Sequence, residues 1–317
     1  MEKVVILMST YNGDRYLENQ IESLLAQEGL EVCILARDDG SSDNTLEILD
    51  RYKKEYSEEE VINKNCNTSF DYYVGQNLGP AGSFLDLMKQ APEAEYYALC
   101  DQDDTWLPDK LKIAVEAIKQ REGKEETPIL YYGMPRFADN DGNLLKGSKG
   151  IYEKSLDFPS CLIKSNSTGC TMVFNRTLLE LINRKSPNLN TITMHDEWLH
   201  KVCLAVGGIL IYDEDVHILY RQHGSNTIGG QLSMRKVLKR YWKTLMEPDC
   251  IRSKCVKSVV DCYGNEMSPQ NIKMAEKVAS YKNSFRKRIE LLLDKDIKME
   301  YPKRNIMFKL AVLLGIF

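Results

Sequence analysis

Apolar runs and amphipathic stretches alternate along the first 230 residues. Val4-Val5-Ile6-Leu7-Met8 is apolar throughout, which predicts a strand buried on both faces. A polar turn, Ser9-Thr10-Tyr11-Asn12-Gly13-Asp14, separates it from a helix over about 15–27, with Leu17, Ile21, Leu24 and Leu25 on one side. Val32-Cys33-Ile34-Leu35-Ala36 repeats the strand pattern and ends in a second polar turn, Asp38-Asp39-Gly40-Ser41, before another amphipathic helix. Tyr72-Tyr73-Val74 predicts a third strand, followed by the Gly-rich turn Gln76-Asn77-Leu78-Gly79-Pro80-Ala81-Gly82 and a helix. Tyr96-Tyr97-Ala98-Leu99 predicts a fourth strand, ahead of an amphipathic helix opened by Pro108. Further strands are expected at 129–134, 168–174, 208–212 and 216–220, with helices at 176–183 and 194–206. Strand–helix alternation of this kind predicts an α/β fold with a doubly wound, mostly parallel sheet.

After Gly229-Gly230 the pattern changes to basic helical periodicity with few turn signals. Ile272, Ala275, Ala279, Phe285, Ile289 and Leu292 predict one long amphipathic helix. Two domains are therefore expected, 1–230 and 231–317. Charge follows the same division. Residues 231–317 hold 19 Lys/Arg against 9 Asp/Glu, whereas the whole chain carries a net charge of −4. Overall the composition, 43% hydrophobic and 28% charged, is that of an ordinary globular protein. No run of ~20 apolar residues predicts a membrane span. Met1-Glu2-Lys3 leads straight into a strand, so no secretory leader is expected. Nine scattered cysteines, none in a C-x-x-C pair, fit reduced, buried thiols in a cytoplasmic protein rather than a zinc ribbon.

The candidate chemistry sits where strands are expected to end. Cys100-Asp101-Gln102-Asp103-Asp104-Thr105-Trp106 places three carboxylates in four positions directly after the fourth strand. Ligands bind at the carboxyl ends of strands in open α/β sheets. Like charges so crowded repel one another unless a cation sits among them, and hard oxygen donors suit Mg²⁺ or Mn²⁺. The same residues also suit a capped helix start. No G-x-G-x-x-G follows the first strand and no G-x-x-x-x-G-K-[ST] occurs, which disfavours a dinucleotide dehydrogenase and a P-loop enzyme. His195 and His200 stand i, i+5, about 140° apart on a helix, which excludes the zinc-protease pairing.

Taken in order, Ser9-Thr10-Tyr11-Asn12, Asp38-Asp39-Gly40-Ser41, Asp101-Gln102-Asp103-Asp104, His195-Asp196 and Tyr220-Arg221-Gln222-His223 resemble the family-2 inverting glycosyltransferases of the GT-A fold. Cys100-Asp101-Gln102-Asp103-Asp104-Thr105-Trp106, Met194-His195-Asp196 and Tyr220-Arg221-Gln222-His223-Gly224-Ser225-Asn226 look most like bacterial polysaccharide rhamnosyltransferases. The resemblance implies that Thr10 and Tyr11 border the nucleotide, that Asp39 accepts a hydrogen bond from a base N–H, and that Asn77, Gly79 and Gly169 line the nucleotide-sugar site. It implies that Asp101 faces ribose or metal and that Asp103 and His223 hold Mg²⁺ or Mn²⁺, with Asp104 either a further ligand or a support of the turn. Arg221 would neutralise phosphate or lie at the surface. Asp196 matches the general base, although a carboxylate at a helix start also serves the helix itself.

The implied reaction is inverting transfer of a hexose, foremost L-rhamnose from dTDP-rhamnose, to a cell-wall or capsular precursor. The alternatives are a UDP-hexose donor (glucose, galactose or GlcNAc), or a catalytically silent sugar-nucleotide-binding protein. The implied partners are the nucleotide-sugar and a lipid-linked or oligosaccharide acceptor, with no nucleic acid. The basic C-terminal region, ending in the nearly all-apolar stretch 306–317, is expected to meet the inner face of the cytoplasmic membrane or a second copy of the chain.

Overall fold

Residues 4–8 are wholly buried, as a continuous apolar run demands, and form the middle of strand β1 (Lys3–Thr10). The computed structural model describes residues 1–57, 67–123, 126–140, 142–145, 157–164, 167–222, 251–299 and 301–317. Along the chain β1 is followed by α1 (Leu17–Leu25), β2 (Glu31–Asp38), α2 (Thr45–Glu55), β3 (Thr68–Val74), α3 (Gly79–Gln90), β4 (Tyr96–Cys100), β5 (Thr105–Trp106) and α4 (Lys110–Lys119). Next come β6 (Ile129–Gly133), β7 (Arg136–Ala138), α5 (Phe158–Ile163), β8 (Val173–Asn175), α6 (Arg176–Asn183), α7 (His195–Ala205), β9 (Ile209–Asp213) and β10 (Ile218–Arg221). Four helices close the chain: α8 (Ile251–Tyr263), α9 (Pro269–Ser280), α10 (Phe285–Leu292) and α11 (Pro302–Leu314).

The chain divides into two compact units. The first comprises Met1–Ile151, Ser167–Arg184 and Ile209–Arg221, and the second Tyr152–Asn166, Lys185–Gly208 and Gln222–Phe317. The boundary expected near Gly230 falls outside the described residues, as do His223 and the basic stretch 231–250.

The first unit is built on a seven-stranded sheet in the order β3-β2-β1-β4-β8-β6-β9. β1 pairs parallel with β2 (Val4↔Val32) and with β4 (Val4↔Tyr96), and β2 pairs parallel with β3. Only β8 runs antiparallel to its neighbours, β4 and β6. The polar turns after β1, β2, β3 and β4 therefore all emerge at one edge, where a doubly wound sheet binds its ligands. A second sheet, β5-β10-β7, lies in the same unit. Its antiparallel pair Trp106↔Ile218 ties the chain just after Asp104 to the strand that ends at Arg221.

Two elements differ from the sequence expectation. The strand expected at 168–174 is a 3₁₀ turn, Gly169–Thr171, followed by the short β8. The Met172 N–H bonds to the Gly169 carbonyl and the Leu99 N–H to the Met172 carbonyl, so the segment meets β4 without extending fully. The long C-terminal helix is likewise two helices. Ser284 is extended (φ −158, ψ 157), and its hydroxyl accepts the Lys287 N–H at 3.2 Å, capping α10. α9 stops at Ser280 and a 3₁₀ turn, Tyr281–Asn283, joins them.

The second unit is helical. α7 buries Trp198, Leu199, Val202 and Cys203, and Trp198 meets Tyr263 of α8 with ring centroids 6.0 Å apart. α11 ends at Gly315, whose φ of 72 is one only glycine adopts readily. The chain then turns back, and Tyr281 Oη bonds both N–H and carbonyl of Phe317 at 2.8 Å. Among the described residues no helix is long and apolar enough to cross a membrane.

Candidate active site

In the first unit, hydrogen bonds between distant stretches stitch the strand-end turns into one surface. After β1, Asn12 takes a positive φ of 47, which asparagine tolerates better than most residues. Its N–H donates to Ser41 Oγ and its Oδ1 accepts the Ser42 N–H, both at 2.8 Å. The Gly13 N–H donates to Thr45 Oγ1 at 2.8 Å. The turn after β4 grips the turn after β1 through one side chain. Gln102 Oε1 accepts the Tyr11 N–H (2.8 Å) while its Nε2 donates to the Tyr11 carbonyl (3.0 Å). A Cβ at Gly13 would fall 2.2 Å from Gln102 Oε1, so a side chain there would push the Gln102 amide off the Tyr11 backbone. Tyr11 is left with its backbone fixed and the residue 49% exposed. Thr10 is wholly buried, its hydroxyl directed at the Arg37 carbonyl and Asp38.

Asp38 and Asp39 divide the work of the second turn. Asp38 holds the turn itself, accepting the Gly40 and Ser41 N–H groups at 3.0 and 2.8 Å. Asp39 reaches across to the third turn. Its Oδ1 accepts the Leu78 N–H (2.8 Å) and its Oδ2 the Gly79 N–H (2.9 Å), at the start of α3. Arg37 backs it with an ion pair of 2.5 Å and bonds Asp86 and the Gln76 carbonyl as well. Asn77 stands exposed in that third turn. The carboxylate has about four acceptor positions, and the protein fills three.

The acidic turn is sorted by depth. Asp101 and Asp103 are half-buried; Asp104 is wholly buried. Asp104 Oδ1 accepts the Arg221 N–H at 3.2 Å, and its Oδ2 has no hydrogen-bond partner. Burial first, then the charges of Asp103 and Asp101, hold its carboxyl well above the usual carboxylate range. Ligand atoms of Asp101, Asp104 and Cys170 all lie within 4.8 Å of one another. Two hard carboxylates and an orphaned buried oxygen fit a divalent cation there. Cys170 comes from the 3₁₀ turn that opens at the buried Gly169, and burial foremost keeps its thiol protonated. The gathered set joins Asp101 to Asp104 and Cys170, while Asp103, half-buried and between those two carboxylates in sequence, lies in the same turn.

Arg221 is 4% exposed and not at the surface. Its Nε donates to the Asp103 carbonyl (3.0 Å), its Nη1 to the Asn140 carbonyl (2.7 Å), and its guanidinium lies 4.9 Å from the centre of the Tyr16 ring. These contacts hold the acidic turn rather than leaving the cation free for phosphate. Sequence reasoning missed both Arg221's part in the turn and the Gln102 clamp. Their partners lie 118 and 91 residues away, where no local pattern reaches.

Asp196 belongs to the second unit. It stands in the first turn of α7, half-buried, with the Glu197 N–H on its Oδ1 at 2.6 Å. Glu197 anchors the same turn, accepting hydrogen bonds from Thr193 Oγ1 and Lys201 Nζ. The structure therefore brings Thr10, Tyr11, Asp39, Asn77, Gly79, Asp101, Asp103, Asp104, Gly169 and Arg221 into one unit and assigns Asp196 to the other.

An α/β domain with its polar turns at one sheet edge and a cation-competent acidic turn among them is the arrangement the GT-A fold presents. Residues 5–182 match the family model described as Glycosyl transferase family 2, and the chain belongs to that family of glycosyltransferases. It is 29% identical over 243 residues to the dTDP-rhamnosyl transferase RfbG of Shigella flexneri, covering 74% of this chain and 77% of that one. Among solved structures it resembles S. aureus TarS in complex with UDP-GlcNAc (TM-score 0.55, 15% identity, 99% and 91% of the two chains). It also resembles the mannosyltransferase PcManGT of Pyrobaculum calidifontis in complex with GDP-Man and Mn²⁺ (TM-score 0.52, 13% identity, 100% and 86%).

Proposed function

We propose that this glycosyltransferase moves L-rhamnose from dTDP-β-L-rhamnose, with inversion, onto a cell-wall or capsular saccharide that is lipid-linked or free. The observation that carries the reading is the acidic turn at the end of β4, stitched by Gln102 to the turn after β1. The name of the Shigella flexneri relative supports the donor. In this reading Tyr11 and the backbone of Thr10 border the nucleotide, with Asn77, Gly79 and Gly169 around it. The remaining acceptor position of Asp39 takes a base N–H. Asp101 and Asp104 hold Mg²⁺ or Mn²⁺, with Asp103 and His223 completing the site. That ion supplies positive charge against the diphosphate leaving group.

Asp196 removes the proton from the acceptor hydroxyl as its oxygen bonds to the anomeric carbon. The bond from that carbon to the phosphate oxygen breaks, and dTDP leaves from the opposite face. Gln102 and Arg221 keep the two turns in place without touching the reacting atoms.

α11 fits a peripheral contact. It leaves Ile306, Leu310, Leu313 and Leu314 exposed at helical spacing, with Lys303 and Lys309 exposed on the same helix. An anionic bilayer offers both the apolar depth and the charge to match. Flotation with phosphatidylglycerol vesicles, reversed by Leu310→Glu, is expected; a dimer in solution that Leu310→Glu dissociates, without flotation, would contradict the bilayer.

Calorimetric titration with dTDP-rhamnose, UDP-GlcNAc and GDP-mannose in Mn²⁺ tests the donor directly. The tightest binding should be to dTDP-rhamnose. Preference for either other donor would overturn the rhamnose assignment while leaving the family standing.

A further inference from the structure

Behind the acidic turn lies a cation that none of the roles above uses. Lys110, the first residue of α4, is 1% exposed. Its Nζ sits 3.3 Å from the centre of the Trp106 ring and has no hydrogen-bond partner. A fully buried lysine without an ion pair or hydrogen bond is rare, because the ammonium gives up its hydration. The indole face returns only part of that loss. Negative charge nearby can offset the rest, and Asp104 is the carboxylate whose field reaches Lys110. Burial lowers the Lys110 pKa to about 8, which leaves the ammonium charged at pH 7. Asp104 is the deepest member of the gathered set, and its Oδ2 has no hydrogen-bond donor. Trp106 connects the two, standing two residues after Asp104 and holding Lys110 on its ring.

We propose that Lys110 is a built-in counter-cation of the acidic turn, a positioning residue that competes electrostatically with the divalent ion and sets how tightly it binds. The inference rests on the metal reading above. Arg221 meets this turn through a guanidinium bond to the Asp103 backbone carbonyl and a main-chain N–H bond to Asp104, so without Lys110 the three carboxylates would hold a divalent ion more strongly even without the nucleotide. With a fixed positive charge beneath it, the empty turn keeps its arrangement, and tight ion binding needs the diphosphate oxygens of the donor. The ion then enters and leaves with the nucleotide.

Calorimetric titration of Mn²⁺ into the nucleotide-free protein at pH 7 tests this. Removing a fixed buried charge whose field reaches Asp104 should tighten Mn²⁺ binding in Lys110→Met by about tenfold or more. Lys110→Arg, which keeps the charge, should stay near wild type. In the Asp104→Asn background the Lys110→Met effect should largely vanish, since the two charges then no longer meet. Circular dichroism and melting confirm the fold of each variant. Unchanged or weaker Mn²⁺ binding in folded Lys110→Met overturns the inference alone. Failure of Lys110→Met and Lys110→Gln to fold, with Lys110→Arg folded, makes the ammonium a structural prop and also overturns it. Absence of Mn²⁺ binding to the wild type at any nucleotide concentration overturns the metal reading beneath it.

Discussion

Single atoms decide the geometry at Gly13. Its missing Cβ is what lets Gln102 close on both backbone groups of Tyr11. Gly13→Ala should push the amide away, raising the KM for the donor with little loss of stability, since the displaced group is the end of a part-exposed side chain. Donor titration curves and a melt of the variant check both parts. At Asp196 the expectation has the opposite shape. Asp196→Asn should lower turnover roughly 10²–10⁴-fold with nucleotide affinity unchanged, because a general base acts on the acceptor proton. A variant that turns over within a few-fold of wild type would reduce Asp196 to a helix-start carboxylate. The identity of these residues was readable in the sequence, since Asp101, Asp103 and Asp104 cluster visibly after an apolar run. Their sorting was not. Which carboxylate is buried depends on Arg221 and Cys170, which reach the turn only through folding.

At the scale of elements, legibility followed burial. Strands β1, β2 and β4 are continuous apolar runs and stand where the pattern puts them. β8 is shorter than its apolar run because Gly169, Cys170 and Thr171 spend their backbone in a 3₁₀ turn. The helix expected across 272–292 keeps its apolar spacing through the break, so periodicity could not reveal the Ser284 cap. α7 carries its own test. Its first turn is held by the buried pair Glu197–Lys201, whose side chains are 18% and 1% exposed. Lys201→Met would leave the Glu197 charge without its counter-ion, a loss of about 3–5 kcal/mol.

The pH dependence of that loss follows from Glu197. Burial alone would raise its pKa, but the charge and hydrogen bond of Lys201, with Thr193, outweigh burial and hold it below the ordinary range. Stability from this pair is therefore complete above the ordinary glutamate range and lost as pH falls through the depressed value. In Lys201→Met burial raises the unpaired Glu197 instead, so the difference between wild type and variant should be largest at pH 7 and above and shrink as pH falls toward the ordinary glutamate range, about 4.3, as measured by denaturant unfolding. His195, buried and lowered to about 3, works in the same direction. Its neutral ring favours the folded state above about pH 6.5, and that contribution declines as pH falls toward 3.

At the scale of the whole molecule, two different chemistries share one chain. The first unit gathers the strand-end turns, and the second carries Asp196 together with α11 and its exposed apolar positions. Family membership rests on residues 5–182, which lie mostly in the first unit, while the proposed base lies in the second. Chelation should abolish transfer and added Mn²⁺ restore it, since the acidic turn then lacks the positive charge that offsets the departing diphosphate. The most direct test follows the reaction of dTDP-β-L-rhamnose with a saccharide acceptor by proton NMR. Wild-type protein in Mn²⁺ should give an α-linked rhamnoside with equimolar dTDP, and Asp101→Asn or excess EDTA should give none. A β-linked product, or undiminished transfer in EDTA, would contradict the account.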